Sequence, residues 1–341
     1  MRRTFALLAA PAVLMGVLAA PASADSAGSS ASSGSSNTSD SSDSSDDGFY
    51  IRDPRITESS GLAASRLHPG VYWTHNDQDT GPYLYAVDGR TGKTLARITL
   101  SGIGTPRDVE GIAVGPGNRL VVGDIGDNLG GTWPYVWIYD LPEPKQLKDQ
   151  TVKATQYVVK YSDGPRDAES IAVHPKTGRV YIVDKNEDGG HLYEGPAKLS
   201  PKGTNVFRPT APVDLWATDA AFSPDGSQLV VRGYLGALWY DWNGGRIKRK
   251  GRLDVPLGQG ESVTYTADGK KLLMGMEGSD SPVRAQDAPE APAKGGGSSS
   301  SAAGSSSASD GSGGTTLKVG LGLLIATAAV FGLRRLFRRG R

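Results

Sequence analysis

Carboxylates recur in this chain at matched places, each just ahead of a short apolar run. Thr105-Pro-Arg-Asp-Val-Glu-Gly-Ile-Ala-Val returns about 60 residues later as Gly164-Pro-Arg-Asp-Ala-Glu-Ser-Ile-Ala-Val. Fainter copies start at Glu58-Ser-Ser-Gly-Leu-Ala, Thr218-Asp-Ala-Ala-Phe-Ser and Gln259-Gly-Glu-Ser-Val-Thr. Set one above another, they align Glu110 with Glu169 and Glu261, and Glu58 with Asp108. Side chains two apart on a strand share a face, so Asp108 projects with Glu110 and Asp167 with Glu169. After each start a second apolar strand ends in more polar residues, among them His75-Asn-Asp77, Asp124-Ile-Gly-Asp127, Asp184-Lys185, Arg232 and Glu277. Oxygen ligands crowded in this way need a cation. It is either a hard metal ion, calcium suiting such a set, or the chain's own Arg107, Arg166, Lys185 and Arg232.

The candidate metal ligands are therefore Asp77, Asp124, Asp127, Asp184, Glu110, Glu169 and Glu261. The candidate ligand-binding set is Glu58, Asp108, Glu110, Asp167, Glu169, Asp219, Glu261, Lys185 and Arg232. Asp184-x-Asn-x-Asp-Gly opens like a calcium loop but lacks the closing acid, and Asp, Asn and Gly also build plain β-turns. For proton transfer the candidates are Glu110, Glu169 and His75, because His68 and His174 fall in turns after the first strands. Gly89-Arg-Thr-Gly-Lys-Thr lacks the first glycine of a phosphate loop and lies between strands, so it is a hairpin turn. The chain has no cysteine, which excludes thiolate chemistry, cysteine metal sites and disulfides.

These residues must be positioned by strands. The second strands run Val71-Tyr-Trp-Thr, Leu120-Val-Val-Gly, Val180-Tyr-Ile-Val, Leu229-Val-Val-Arg and Leu272-Leu-Met-Gly, behind turns such as Pro224-Asp-Gly and Ala267-Asp-Gly. Third strands fit Tyr83 to Val87, Val136 to Tyr139, His191 to Glu194 and Leu238 to Asp241. Fourth strands fit Leu95 to Leu100, Thr155 to Tyr161, Pro212 to Trp216 and Arg246 to Lys250. The fifth repeat lacks a fourth strand, whereas Phe49-Tyr-Ile-Arg is a spare one at the beginning. The expected fold is all-β, a β-propeller of five blades closed by this N-terminal strand, with six blades the alternative. Adjacent antiparallel strands start and end at one edge, so the acidic motifs should meet at one mouth of the central channel.

The ends of the 341-residue chain carry targeting signals. Residues 1–24, a basic start, an apolar run and Ala22-Ser-Ala, read as a signal peptide, a retained anchor being the alternative. Residues 25–47 and 288–316 are Ser-, Asp-, Ala- and Gly-rich and are expected to be disordered tethers around the 48–287 propeller. Residues 317–333 are expected to form a single transmembrane helix. Its apolar stretch reaches only about 22 Å against a core of about 30 Å, so Lys318 and Arg334 would snorkel. A helix lying on the membrane surface is the alternative. The arginines of 334–341 place that tail in the cytoplasm and the propeller outside the cell. The net charge of +1 owes much to that tail, which argues against a nucleic-acid partner.

Ile56-Thr-Glu-Ser-Ser-Gly-Leu-Ala, Trp73-Thr-His-Asn-Asp, Arg107-Asp-Val-Glu-Gly-Ile-Ala, Gly123-Asp-Ile-Gly-Asp-Asn, Thr218-Asp-Ala-Ala-Phe-Ser-Pro-Asp-Gly and Gly260-Glu-Ser-Val-Thr-Tyr form a recognisable series. Together they resemble the secreted, membrane-anchored propeller proteins of actinobacteria, which are WD40-like and related to the phytase-like esterase propellers. The resemblance implies a propeller on the cell surface that binds a small polar ligand or a protein, with calcium as the expected cofactor. It also implies the rival, a calcium-dependent hydrolase of phosphoesters, esters or lactones. The Gly-His and Trp-Asp pairs of true WD40 blades do not recur, and no dense basic cluster of the phytase kind is present.

Overall fold

The computed structural model describes residues 48–77 and 81–290, and every described element is a strand. The expected signal peptide, first tether, membrane segment, tail and most of the second tether lie outside the described residues. No helix among those residues is long and apolar enough to cross a membrane.

Strand β1 (Gly48–Tyr50) precedes a first meander of β2 (Ser59–Ala64), β3 (Val71–Asn76), β4 (Tyr83–Asp88) and β5 (Thr94–Ser101). The second contains β6 (Val109–Gly115), β7 (Arg119–Asp124) and β8 (Val136–Pro142). Then β9 (Gln150–Lys153) leads into its fourth strand, β10 (Thr155–Tyr161). The third is β11 (Ala168–Val173), β12 (Val180–Asp184), β13 (Gly190–Glu194) and β14 (Thr204–Val213). The fourth is β15 (Ala217–Phe222), β16 (Gln228–Gly233), β17 (Gly236–Asn243) and β18 (Arg246–Leu253). The last has β19 (Gly260–Tyr265), β20 (Lys271–Met276) and β21 (Pro282–Asp287), and β1 pairs antiparallel with β21, Phe49 opposite Val283. The earliest strand thus supplies what the last meander lacks, so both ends of the described residues are tied into one sheet.

The first strands pack in a circle, β2 on β6, β6 on β11, β11 on β15, β15 on β19 and β19 back on β2. Alternation along each strand sends its side chains into two different cores. Leu120 and Val122 join Trp73, Leu84 and Ile98 between the first two meanders, whereas Val121 joins Ile171, Ile182 and Phe207 on the other side. The same sharing joins Val183 to Leu229, Val230 to Met274, and Leu273 and Val283 to Leu62 and Tyr72, so the apolar cores also run in a closed series. The fold is therefore all-β and propeller-like.

Three details depart from the sequence reading. Strand β9 was not expected; it pairs parallel with β5 and broadens the first sheet. Strand β14 runs over Thr204–Val213 rather than Pro212 to Trp216, because Thr204 to Phe207 pair parallel with β10 of the neighbouring meander, after which 214–216 leave the sheet. The fourth repeat is also shifted, with consequences for the site.

Candidate functional site

Each first strand carries an irregularity at its start, and its position defines the site. Glu110 is skipped between the Val109–Asp124 and Gly111–Gly123 pairs, Glu169 between Ala168–Asp184 and Ser170–Val183, and Glu261 between Gly260–Met276 and Ser262–Gly275. A bulge leaves one residue out of the ladder and re-aims its side chain. In the first meander Ser60 lies in the bulge, and in the fourth Thr218 does, between Ala217–Gly233 and Asp219–Arg232. The alignment of Thr218 with Glu58 is thus corrected by two residues: Thr218 corresponds to Glu110. The pattern was hidden because only three of the five bulges carry a carboxylate.

The residues just past the second strands form a companion ring. The amides of Asp77, Gly126, Lys185 and Glu277 donate to the carbonyls of Glu58, Asp108, Asp167 and Gln259, which puts these four in equivalent places; Tyr234, the residue after β16, takes the corresponding place by register. Glu58, Ser60, Asp77, Glu110, Glu169, Tyr234, Gln259, Glu261 and Glu277 line one small cavity of about 20 Å³. That is room for a water-sized occupant and not for a sugar or a phosphoester.

On the Asp77 and Glu110 side of this cavity, oxygen atoms of these two residues and of Asp108 all lie within 4.8 Å of one another, and all three residues are buried. Ser60 Oγ donates to Glu110 Oε2 at 3.3 Å, while Glu110 Oε1 has no hydrogen-bond partner among the described residues. Burial, then the charges of Asp77, Glu169 and Asp108, push the Glu110 carboxyl well above its ordinary range, and Lys185 offsets only part of this. A Cβ on Gly126 would stand 2.6 Å from Asp108 Oδ2 and 2.7 Å from Glu110 Oε1, so only glycine leaves these carboxylates room.

Opposite them, Lys185 pairs with Glu169 and lies 5.6 Å from the Tyr234 ring and 6.0 Å from that of Trp216. Burial disfavours the ammonium, but Glu169, Tyr234, Glu261 and Glu110 outweigh it and hold the lysine charged well above its usual range. Glu261 is pushed up to about 8 by burial and by Glu169, against the pull of Lys185.

Other sequence candidates are engaged elsewhere. Asp124 accepts the Tyr139 hydroxyl at 2.5 Å and the amides of Arg107 and Asp108, and Asp127 accepts the amides of Thr132 and Trp133. Asp184 accepts the His191 amide at 2.5 Å and Arg166 at 3.3 Å, and Asp167 accepts the Asp127 amide at 2.8 Å. These four brace loops and strand ends. Asp219 staples two meanders, accepting the amides of Ala220 at 2.8 Å and Val263 at 2.7 Å. Arg232, fully buried, donates to the carbonyls of Ser262 and Gly275, at 2.5 and 2.6 Å. His75 is 1% exposed, its Nε2 faces Gly61, and burial lowers its pKa to about 4, so it is neutral and shut away from solvent. Ser60, Tyr234 and Gly126 were missed; the signal for them was register with the glutamates, which no acidic motif marks.

No protein-family model matches the chain, and no curated protein sequence matches it. Among solved structures, it is similar to the soluble aldose sugar dehydrogenase of Escherichia coli, at 11% identity and a TM-score of 0.44, over 70% of this chain and 99% of that one. It is also similar to the periplasmic gluconolactonase of Pseudomonas aeruginosa, at 17% identity and 0.38, over 63% and 64% of the two chains. A chain of the mitotic checkpoint complex is matched at 13% and 0.36, over 67% and 63%. The chain thus spans less than two thirds of the length of the last two. Likeness this distant bears on no question of activity.

Proposed function

We propose that this protein is a five-bladed β-propeller displayed on the cell surface, a binding module whose channel mouth holds one calcium ion between Asp77, Asp108 and Glu110. The signal peptide, the disordered tethers, the single transmembrane helix and kinship with the actinobacterial, phytase-like propellers belong to the same proposal. The observation that carries it is Glu110 Oε1, buried with no hydrogen-bond donor beside two further carboxylates. A buried acceptor left unmatched costs free energy, and a hard cation with oxygen ligands at 2.3–2.6 Å suits both the donor chemistry and the separation. The cavity takes a water-sized occupant, so any larger ligand would rest on the lip around the ion.

Calcium titration tests this. A bound ion stabilises the native state by about 2.7 kcal/mol at a hundredfold excess over its dissociation constant. The melting temperature should rise with calcium in the wild type and stay level in Gly126→Ala, whose methyl group invades the ligand cluster. A wild-type melting temperature indifferent to millimolar calcium defeats the proposal. The rival hydrolase reading draws on one observation, Glu261 held near neutrality where it could take or give a proton. It requires calcium-dependent turnover of a phosphoester, ester or lactone that Glu261→Gln abolishes.

A further inference from the structure

The two edges of the strand ring differ in what they show to solvent. First-strand starts and second-strand ends lie at the mouth edge, so the loops after second strands and after fourth strands belong to it as well. Large apolar side chains are exposed at Leu129, Tyr135, Leu235 and Leu257, and all four sit in such loops; Leu257 is 83% exposed, Leu129 58% and Leu235 51%. The other exposed large apolar residues, Tyr50, Leu95 and Val206, are on outer strands. None among the described residues is at the opposite edge, where the turns carry Arg90, Lys93, Lys176, Asp225 and Asp268 instead.

Single exposed leucines need no explanation, but leucines confined to one edge around an acidic centre do. Arg107 lies across the Trp133 and Trp137 rings, at 4.1 and 3.8 Å, and donates to the Tyr135 carbonyl at 3.0 Å, which braces the end of the loop that carries Leu129. The lip at the same edge carries Glu58, Asp167 and Glu277, all half-buried. We infer that the mouth edge is a docking surface for a protein segment that carries a lysine or arginine between apolar side chains. The basic group meets the acids of the lip and the apolar groups cover the leucines. Charge complementarity selects this occupant, because a basic group matches the acids of this edge whereas a purely apolar partner would only strip them of water. The inference rests on the binding-module reading and names its partner class.

Random short peptides should be selected on the full chain in calcium, and the consensus peptide measured by fluorescence anisotropy. Selected sequences should converge on a basic residue flanked by apolar ones. Binding should weaken at least about tenfold in Leu129→Ser/Leu257→Ser, and again when citrulline or norleucine replaces the basic residue. Glu58→Gln/Glu277→Gln should weaken it and flatten its salt dependence. The leucine variant should keep the calcium-induced rise in melting temperature, which separates failure of docking from failure of the ion site. Convergence on acidic or wholly apolar peptides, no convergence, or binding indifferent to both double variants overturns the inference. So does concentration-dependent dimerisation abolished by the leucine changes, since the surface would then be for self-association.

Discussion

Glu110 and Glu169 occupy the same bulge in two near-identical repeats, yet their surroundings are opposite. Past the second strand the third meander has Lys185, whose ammonium reaches back to Glu169; the second has Gly126 at the equivalent place. One glutamate therefore comes with its own cation. The other has no cation at that place: its own Oε1 and Asp108 Oδ2 face the space that glycine leaves, and Asp77 gathers with them. A repeat fold can thus duplicate a motif and still divide labour, because the partner lies some sixteen residues downstream of the motif, at a position free to vary.

The largest test removes the built-in cation. Lys185→Met strands Glu169 beside Glu261 in a buried site, and taking one member from a buried ion pair costs about 3–5 kcal/mol. Urea unfolding in EDTA should show that loss, and adding Glu169→Gln should restore most of it. A loss below about 1 kcal/mol would mean that Lys185 is not what holds that half together. Glu110→Gln should behave in the opposite way. Without calcium it should be at least as stable as the wild type, since it removes a buried like charge; with a hundredfold excess of calcium it should fall about 2.7 kcal/mol behind. Paired thermal melts, with and without calcium, read both arms.

Glu261 makes the comparison pH-dependent. Its carboxyl titrates at 4.5 when unperturbed and at about 8 in the folded chain, so between those values the native state holds a proton that the unfolded state has lost. The contribution of Glu261 to stability in EDTA should therefore be largest below the lower value and fall as pH rises towards the upper one, by at most about 1.4 kcal/mol per pH unit. Glu261→Gln should flatten that slope. A wild-type slope of the opposite sign across this window would show that Glu261 ionises freely in the folded state.

Much of the fold was legible because strand periodicity, turn chemistry and repetition agreed: the spare Phe49 strand and the missing partner of Pro282 to Ala285 pointed to each other. The site was legible only in part. Glu110, Glu169 and Glu261 stand out because a bulge needs no special residue, so a repeated acid there is a signal. Thr218 carries none, so its repeat falls two residues out of register with Thr218 opposite Glu58, and its one acid, Asp219, bridges two amides. Asp124, Asp127 and Asp184 could not be told from ligands, because an aspartate that accepts backbone amides at a strand end looks, in sequence, like one that binds a metal.

The smallest expected effect separates those two kinds of aspartate. Asp127 lies in the same Asp-Ile-Gly-Asp motif as the glycine beside the carboxylate cluster, but its Oδ2 accepts the amides of Thr132 and Trp133 and its Oδ1 the amide of Leu129 at 3.4 Å. Asp127→Asn can keep its carbonyl on the first two amides but then presents its NH2 group to the Leu129 amide, which needs an acceptor, and this should cost about 1 kcal/mol of stability. Its charge plays no part in holding the ion, so the calcium-induced rise in melting temperature should match the wild type within about 0.5 kcal/mol, the additivity expected of uncoupled sites. Should Asp127→Asn abolish the calcium response while Glu110→Gln preserves it, the ion would belong to the loop after β7, and the contrast between Glu110 and Glu169 would describe packing rather than binding.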